Sequence, residues 1–187
     1  MSSVIARPIA IRPSVPARVA GPVLAGLGFV SLAVTQLVFP AQSRPFSRGT
    51  DYAIEWSYAA GLWAAVLAIV ALHLAHRSVP GWGRTGAVGT AIYAAGHVLV
   101  GTAVATTAVR GDESLPMLFV PGLLGWMIGG VLCAVAAFRA GLLPRPLAVT
   151  LGLSLPLTMA LGHAGPLVEG AVWFGVAAVL AVRARRA

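Results

Sequence analysis

Residues 146–182 read PLAVTLGLSLPLTMALGHAGPLVEGAVWFGVAAVLAV, and the architecture turns on the five residues at the centre, Gly162-His163-Ala164-Gly165-Pro166. Glycine ends helices and proline opens them, so Gly-x-x-Gly-Pro is the chemistry of a turn between two helices. A turn makes two short apolar spans, 146–163 and 166–182. A kink would leave one span and move the C-terminus to the other side of a bilayer. Four longer apolar stretches precede this segment, about 19–39, 53–75, 85–108 and 116–138. Each approaches the ~20 residues that a hydrocarbon core requires.

The arginines choose between the two readings. With six spans and an inner N-terminus, the inner segments hold Arg7, Arg12, Arg18, Arg77, Arg84, Arg139, Arg145, Arg183, Arg185 and Arg186. The outer segments hold only Arg44, Arg48 and Arg110. Ten against three is the bias expected of cytoplasmic loops. Five spans would carry the last three arginines outside and leave seven against six. The sequence therefore predicts an all-α bundle of six transmembrane helices with both termini cytoplasmic. A flexible tail (1–18) precedes the membrane domain (19–182), and a short basic tail (183–187) follows it. The first apolar run is longer than the 7–15 residues of a signal-peptide core, and Ala41-Gln42-Ser43 is a poor cleavage site, so that span is read as retained.

Composition agrees. At 58% hydrophobic and 10% charged residues, with a mean hydropathy of +0.88, the chain has too little polar surface to coat a soluble globule. Its net charge of +8 comes from arginine without any lysine. Confined to loops, those charges mark the cytoplasmic side and meet anionic lipid headgroups. With no basic patch interleaved with aromatics, a nucleic-acid partner is not expected. The single cysteine, Cys133, lies within an apolar run and excludes an intrachain disulfide. Absence of Lys and Asn, with heavy use of Ala, Gly, Val, Pro and Arg, points to a GC-rich bacterial source. A bacterial plasma membrane is the expected location.

Polar residues inside the spans are the functional candidates, because ionisable groups in hydrocarbon are costly. His97 lies about thirteen residues into the third span, ~20 Å deep at 1.5 Å per residue. Around it Gly86, Thr90, Tyr93, His97 and Gly101 make one small-and-polar stripe. The bland role for His97 is an interhelical hydrogen bond, and its expected partners are Ser154 or Thr158 on span five, or Glu55 on span two. Glu55 and Glu169 each stand about one turn inside an outer helix end, near Trp56 and Trp173. They read as interfacial carboxylates reaching for water, or as a functional pair on a common outer cavity. Candidate catalytic groups are thus Glu55, Glu169 and His163, the last in the outer turn. Asp112 and Glu113 read as a solvated loop, and His73 with His76 as an inner interfacial anchor. Histidines at matched membrane depth are lacking, which argues against haem; no metal and no cofactor are expected.

Small residues at helical spacing predict close packing: Gly28, Ser31 and Thr35 on span one, and Thr150, Ser154 and Thr158 on span five, where Pro156 bends the helix. Gly125 and Gly129 form a GxxxG on span four, which serves either a homo-oligomer seam or packing within one bundle.

The run from Leu118 to Arg186 resembles a domain of unknown function in small multi-pass membrane proteins of actinobacteria. The residues that carry the likeness are Phe138-Arg139-Ala140-Gly141-Leu142-Leu143-Pro144-Arg145, then Gly165-Pro166-Leu167-Val168-Glu169-Gly170 leading into a Trp-containing last helix. The resemblance implies a membrane protein and no activity.

Three functional classes follow from the sequence. The first is a non-catalytic bundle that acts as an accessory or interaction subunit, or binds a small ligand. The second is a small transporter or channel subunit with His97 on the path. The third is a membrane-embedded enzyme acting on a lipid or isoprenoid, with Glu55 or Glu169 as general acid. Scarcity of charge in the spans favours the first. No self-similarity between spans 1–3 and 4–6 weighs against the second.

Overall fold

A computed structural model describes residues 15–39, 42–112 and 115–186. Among these residues all regular structure is helical, with no strand. The elements are α1 (Val15–Val38), α2 (Gly49–His76), α3 (Gly83–Arg110), α4 (Phe119–Arg139, entered through a 3-10 turn at Pro116–Leu118), α5 (Arg145–Gly152), α6 (Ser154–Leu161) and α7 (Gly165–Arg186). Most of the expected N-terminal tail lies outside the described residues, as does Glu113. Helix α1 starts at Val15, ahead of the expected boundary at residue 18, and α7 runs on through the basic segment to Arg186.

Five helical stretches are long and apolar enough to cross a membrane: Val19–Val38, Gly49–His76, Gly83–Arg110, Pro116–Arg139 and Ser154–Arg185. The last is not a straight rod. Gly162 takes φ +54, and Thr158 Oγ1 donates to the Gly165 carbonyl oxygen at 3.3 Å. Residues seven apart in a continuous helix would be separated by ~10 Å along its axis. The chain therefore reverses at 162–165. Further along, Leu147 of α5 lies beside Gly175 of α7, and Arg183 Nη2 donates to the Gly141 carbonyl at 2.6 Å. Together α5 and α6 run back along α7 as a broken sixth leg. The break is at Leu153 (φ −103, ψ 7). Pro156 causes it, since it has no N–H and its ring crowds the carbonyl four residues earlier, that of Gly152.

Around the bundle, α1 packs on α2 and α7, α2 on α3, α3 on α4, α4 on α5, and α6 on α7, which closes a ring in chain order. Two seams are tight enough to demand glycine. A Cβ on Gly28 would come within 2.7 Å of the Gly61 Cα across α1 and α2, and a Cβ on Gly129 would strike the backbone of Tyr93 across α3 and α4. Gly125 meets Gly96 in that same α3–α4 seam, so the GxxxG serves packing within the bundle. The expected stripe on α1 is only partly used inward. Gly28 packs on α2, but Ser31 faces out and Thr35 returns its hydroxyl to the Leu32 carbonyl.

The outer surface of the ring carries Leu24, Leu27, Leu67, Val98, Leu124 and Ile128, all exposed. Such a continuous apolar belt suits hydrocarbon and not water. One end of the bundle gathers the α1–α2, α3–α4 and α6–α7 connections with Asp51 and Glu55; we call it the acidic end. The other gathers the α2–α3 and α4–α5 connections and the end of α7, and is the arginine end.

Candidate functional site

Two polar constellations occupy the acidic half. The first ties the α1–α2 loop to the start of α2. Asp51 is fully buried and accepts from the backbone N–H of Ser47 (3.2 Å) and Arg48 (3.1 Å), from Ser43 Oγ (2.8 Å) and from Arg48 Nη2 (3.0 Å). It caps orphan N–H groups at a helix start, which is structural work. One turn on, Glu55 Oε1 receives Arg44 Nη2 and Gln42 Nε2, each at 3.4 Å. The Phe46 N–H donates to the Gly111 carbonyl at 2.7 Å, so this loop is also pinned to the α3–α4 connection.

The second constellation is inside the ring. Tyr93 and His97 of α3, Trp126 of α4, Ser154 of α6, and Glu169 and Trp173 of α7 are all buried. Their rings form a continuous set. His97 lies 4.3 Å from Trp126 between centroids and 4.7 Å from Tyr93, and Tyr93 stacks on Trp173 at 6.3 Å. Ser154 stands at the break between α5 and α6 and faces the Glu169 carboxylate together with Trp126. Neither approach closes a hydrogen bond of good geometry. Both carboxylate oxygens of Glu169, the Tyr93 hydroxyl, the Trp126 and Trp173 indole nitrogens and His97 Nε2 are buried without a partner. Six buried polar atoms thus share one neighbourhood without a hydrogen bond of good geometry among the described residues, although Ser154 and Trp126 approach both Glu169 and Tyr93.

Above this cluster lies a cavity of about 190 Å³ that reaches the α6–α7 turn at Gly162 and Pro166. Phe29, Gln36, Tyr58, Trp126 and Thr158 are among its walls. Trp126 belongs to both cavity and cluster. Tyr58 lies within electrostatic reach of both Glu169 and Glu55.

Several sequence expectations change here. Glu169 is not an interfacial residue reaching for water; it is 0% exposed, because this face of α7 turns into the bundle toward the side chains of Trp126 and Ser154. The expected cross-helix partner of His97 is absent. Its Nδ1 pairs with the Tyr93 carbonyl at 3.0 Å, one turn back on its own helix, and its ring is sandwiched rather than bonded across. The whole α3 stripe, Gly86, Thr90, Tyr93, His97 and Gly101, is buried as expected. Thr158 lines the cavity, while His163 is exposed in the turn, apart from the cluster. At the arginine end, Trp82 Nε1 donates to His73 Nδ1 at 3.2 Å and His76 Nδ1 pairs with the Leu72 carbonyl at 2.7 Å, consistent with local anchoring.

Sequence reasoning missed Trp126 and Tyr58 as cavity walls, and it read Trp173 only as an aromatic neighbour of Glu169. The available signal was position: tryptophans of membrane helices concentrate at helix ends, and Trp126 and Trp173 each sit about two turns inside theirs. Comparison with protein-family models, curated proteins and solved structures finds no match for the chain.

Proposed function

We propose that the chain is a six-span protein of a bacterial plasma membrane, with both termini cytoplasmic, whose ring of helices encloses a small-ligand chamber opening at the outer, acidic end. The arginine asymmetry supports the orientation, and the apolar belt supports the embedding. One observation carries the binding role: a cavity at the acidic end is lined by Phe29, Tyr58 and Trp126, with the polar side chains of Gln36 and Thr158 among them. A mostly apolar pocket with a few convergent polar groups is the usual form of a small-molecule site. Among the functional classes open to the sequence, this is the ligand-binding member of the non-catalytic class.

The test is access. In a Cys133→Ala background, Thr158→Cys should react with a membrane-impermeant maleimide added outside intact cells, and Ala148→Cys, buried toward the arginine end, should not. Labelling of Thr158→Cys only after permeabilisation would sink the outward-opening chamber.

A transport role has one specific observation in its favour. The helix break at Leu153 puts Ser154 against the buried carboxylate, and interrupted helices are a recurring device at transporter binding sites. Uptake into proteoliposomes separates it from binding alone.

A further inference from the structure

The last seam of the ring is an open one. Helix α5 packs along α4 and meets α7 only lightly; one point of contact is Leu147 beside Gly175. On α7, Ala171, Gly175 and Ala178 share a face at spacings of four and three, so the wall opposite α5 is shallow. A hollow lies on either side of Leu147. One, bounded by Leu147, Thr150, Val168 and Ala171, measures about 380 Å³. The other lies between the α4–α5 loop and Ala178, Val179 and Val182; it measures about 410 Å³, and Arg183 stands in its wall. From Arg183 to Val168 the seam runs ~22 Å at 1.5 Å per residue. That exceeds the ~15 Å depth of one leaflet of a ~30 Å hydrocarbon core.

A groove of this kind in a bilayer is filled by lipid or by protein, since an empty one forfeits its packing contacts. Charge chooses the occupant. At the mouth, Arg183 is exposed and is held against the α4–α5 loop by its bond to the Gly141 carbonyl. That bond occupies one of the five N–H donors of a guanidinium, whose fork matches the oxygens of a phosphate. Arg139, Arg145 and Arg185 belong to the same end, whereas Asp51, Glu55, Asp112 and Glu169 all lie in the acidic half. A second copy, oriented alike in the membrane, would set one arginine rim against another with no acid between them, and like charges so placed cost binding. A zwitterionic lipid brings a cation of its own to that rim. A lipid of net negative charge meets both the apolar floor and the cationic mouth.

We propose that the α5–α7 groove is a site for one anionic phospholipid, with an acyl chain lying along the seam and the phosphate paired with Arg183. The site rests on the membrane embedding proposed above, with the arginine end at a bilayer surface, and does not involve the chamber at the acidic end. Arginines at such a surface attract an anionic leaflet in general. Here one of them stands over an apolar groove deep enough for a chain, which selects a single bound molecule.

The experiment is native mass spectrometry of the purified full chain in detergent micelles. It is titrated with dioleoyl phosphatidylglycerol, with dioleoyl phosphatidylcholine, or with sodium phosphate. One phosphatidylglycerol should bind saturably and more tightly than phosphatidylcholine, and phosphate alone should not bind. Arg183→Gln should weaken the phosphatidylglycerol adduct about five-fold, the worth of one arginine beside an anionic surface. Arg183→Lys should keep most of it, and Arg84→Gln, at the arginine end but outside the groove, should leave it unchanged. Ala178→Phe, at an exposed position, fills the groove and should remove the adduct; if that variant does not fold, the Arg183 pair decides. Equal affinity for the two lipids, or phosphatidylglycerol binding unchanged in Arg183→Gln or in folded Ala178→Phe, overturns the site. Phosphate binding as tight as that of phosphatidylglycerol overturns the lipid as the source of the anion. A dimer that Ala178→Phe dissociates gives the groove to a second copy and overturns the site as well. All of these outcomes leave the membrane reading standing. A chain that stays monodisperse in water without detergent overturns that reading, and the lipid site with it.

Discussion

Glu169 and His97 show how differently two ionisable residues can be accommodated in one interior. His97 has half of its hydrogen-bonding capacity met by the carbonyl of Tyr93, and the rest of its ring is held by Tyr93 and Trp126. Replacing it by Leu keeps most of the volume and removes the orphaned Nε2. We expect His97→Leu to cost only about 1 kcal/mol, near the modest average for polar contacts inside membrane bundles, as read from equilibrium unfolding in mixed micelles. A loss of several kcal/mol would mean that Nε2 has a strong partner. Glu169 has no such local support. With no ligand present, Glu169→Gln should hold or raise the thermal unfolding midpoint, because it removes a buried acid that no cation of the chain compensates. A clear fall in that midpoint would show that Ser154 or Trp126 bonds the carboxylate far better than their geometry indicates. Asp51 is the contrasting acid. It holds the start of α2 through four hydrogen bonds, so Asp51→Ala should destabilise the chain by about 1–2 kcal/mol, in the range of lost helix caps.

At the scale of elements, the α3–α4 pair carries most of the site and leaves least room for change. Gly129 sits where any side chain would run into the Tyr93 backbone, and Tyr93 is itself part of the cluster. Gly129→Val should therefore push the two helices apart and cost about 1–3 kcal/mol or more through overpacking. It should be seen as a loss of monodisperse protein on size-exclusion chromatography. Gly49→Ala is the control, since nothing lies within 4 Å of a Cβ there. The hinge between α5 and α6 is the other sensitive element. Pro156→Ala restores the missing N–H and favours a straight helix, which would rotate Ser154 away from Glu169. Its expected signature is preserved folding with altered ligand affinity.

For the whole molecule, the topology is the firmest quantity to test. Reporter fusions at Ser47, Glu113 and Gly165 should read extracytoplasmic, and fusions at Pro80, Leu143 and Ala187 cytoplasmic; an external C-terminus would restore the five-span reading. The sequence by itself determined the helical class, the positions of the long apolar segments and the turn chemistry at 162–166. Each of these depends on composition and local spacing, the number of apolar residues that match a bilayer and the habits of Gly and Pro. The burial of the α3 stripe was legible for the same reason, because residues at spacings of three and four share a face whatever the neighbours. Tertiary structure alone decided what that face meets. Which helix presents Trp126 to His97, how deeply α7 turns Glu169 inward and where the break in α5–α6 aims Ser154 all depend on rotation about helix axes. Those rotations follow from Gly28 on Gly61 and Gly129 on Tyr93, contacts between residues far apart in the chain. Local pattern shows that a face is buried; only close packing against a partner helix decides which polar atoms end up together, and which of them are left without a partner.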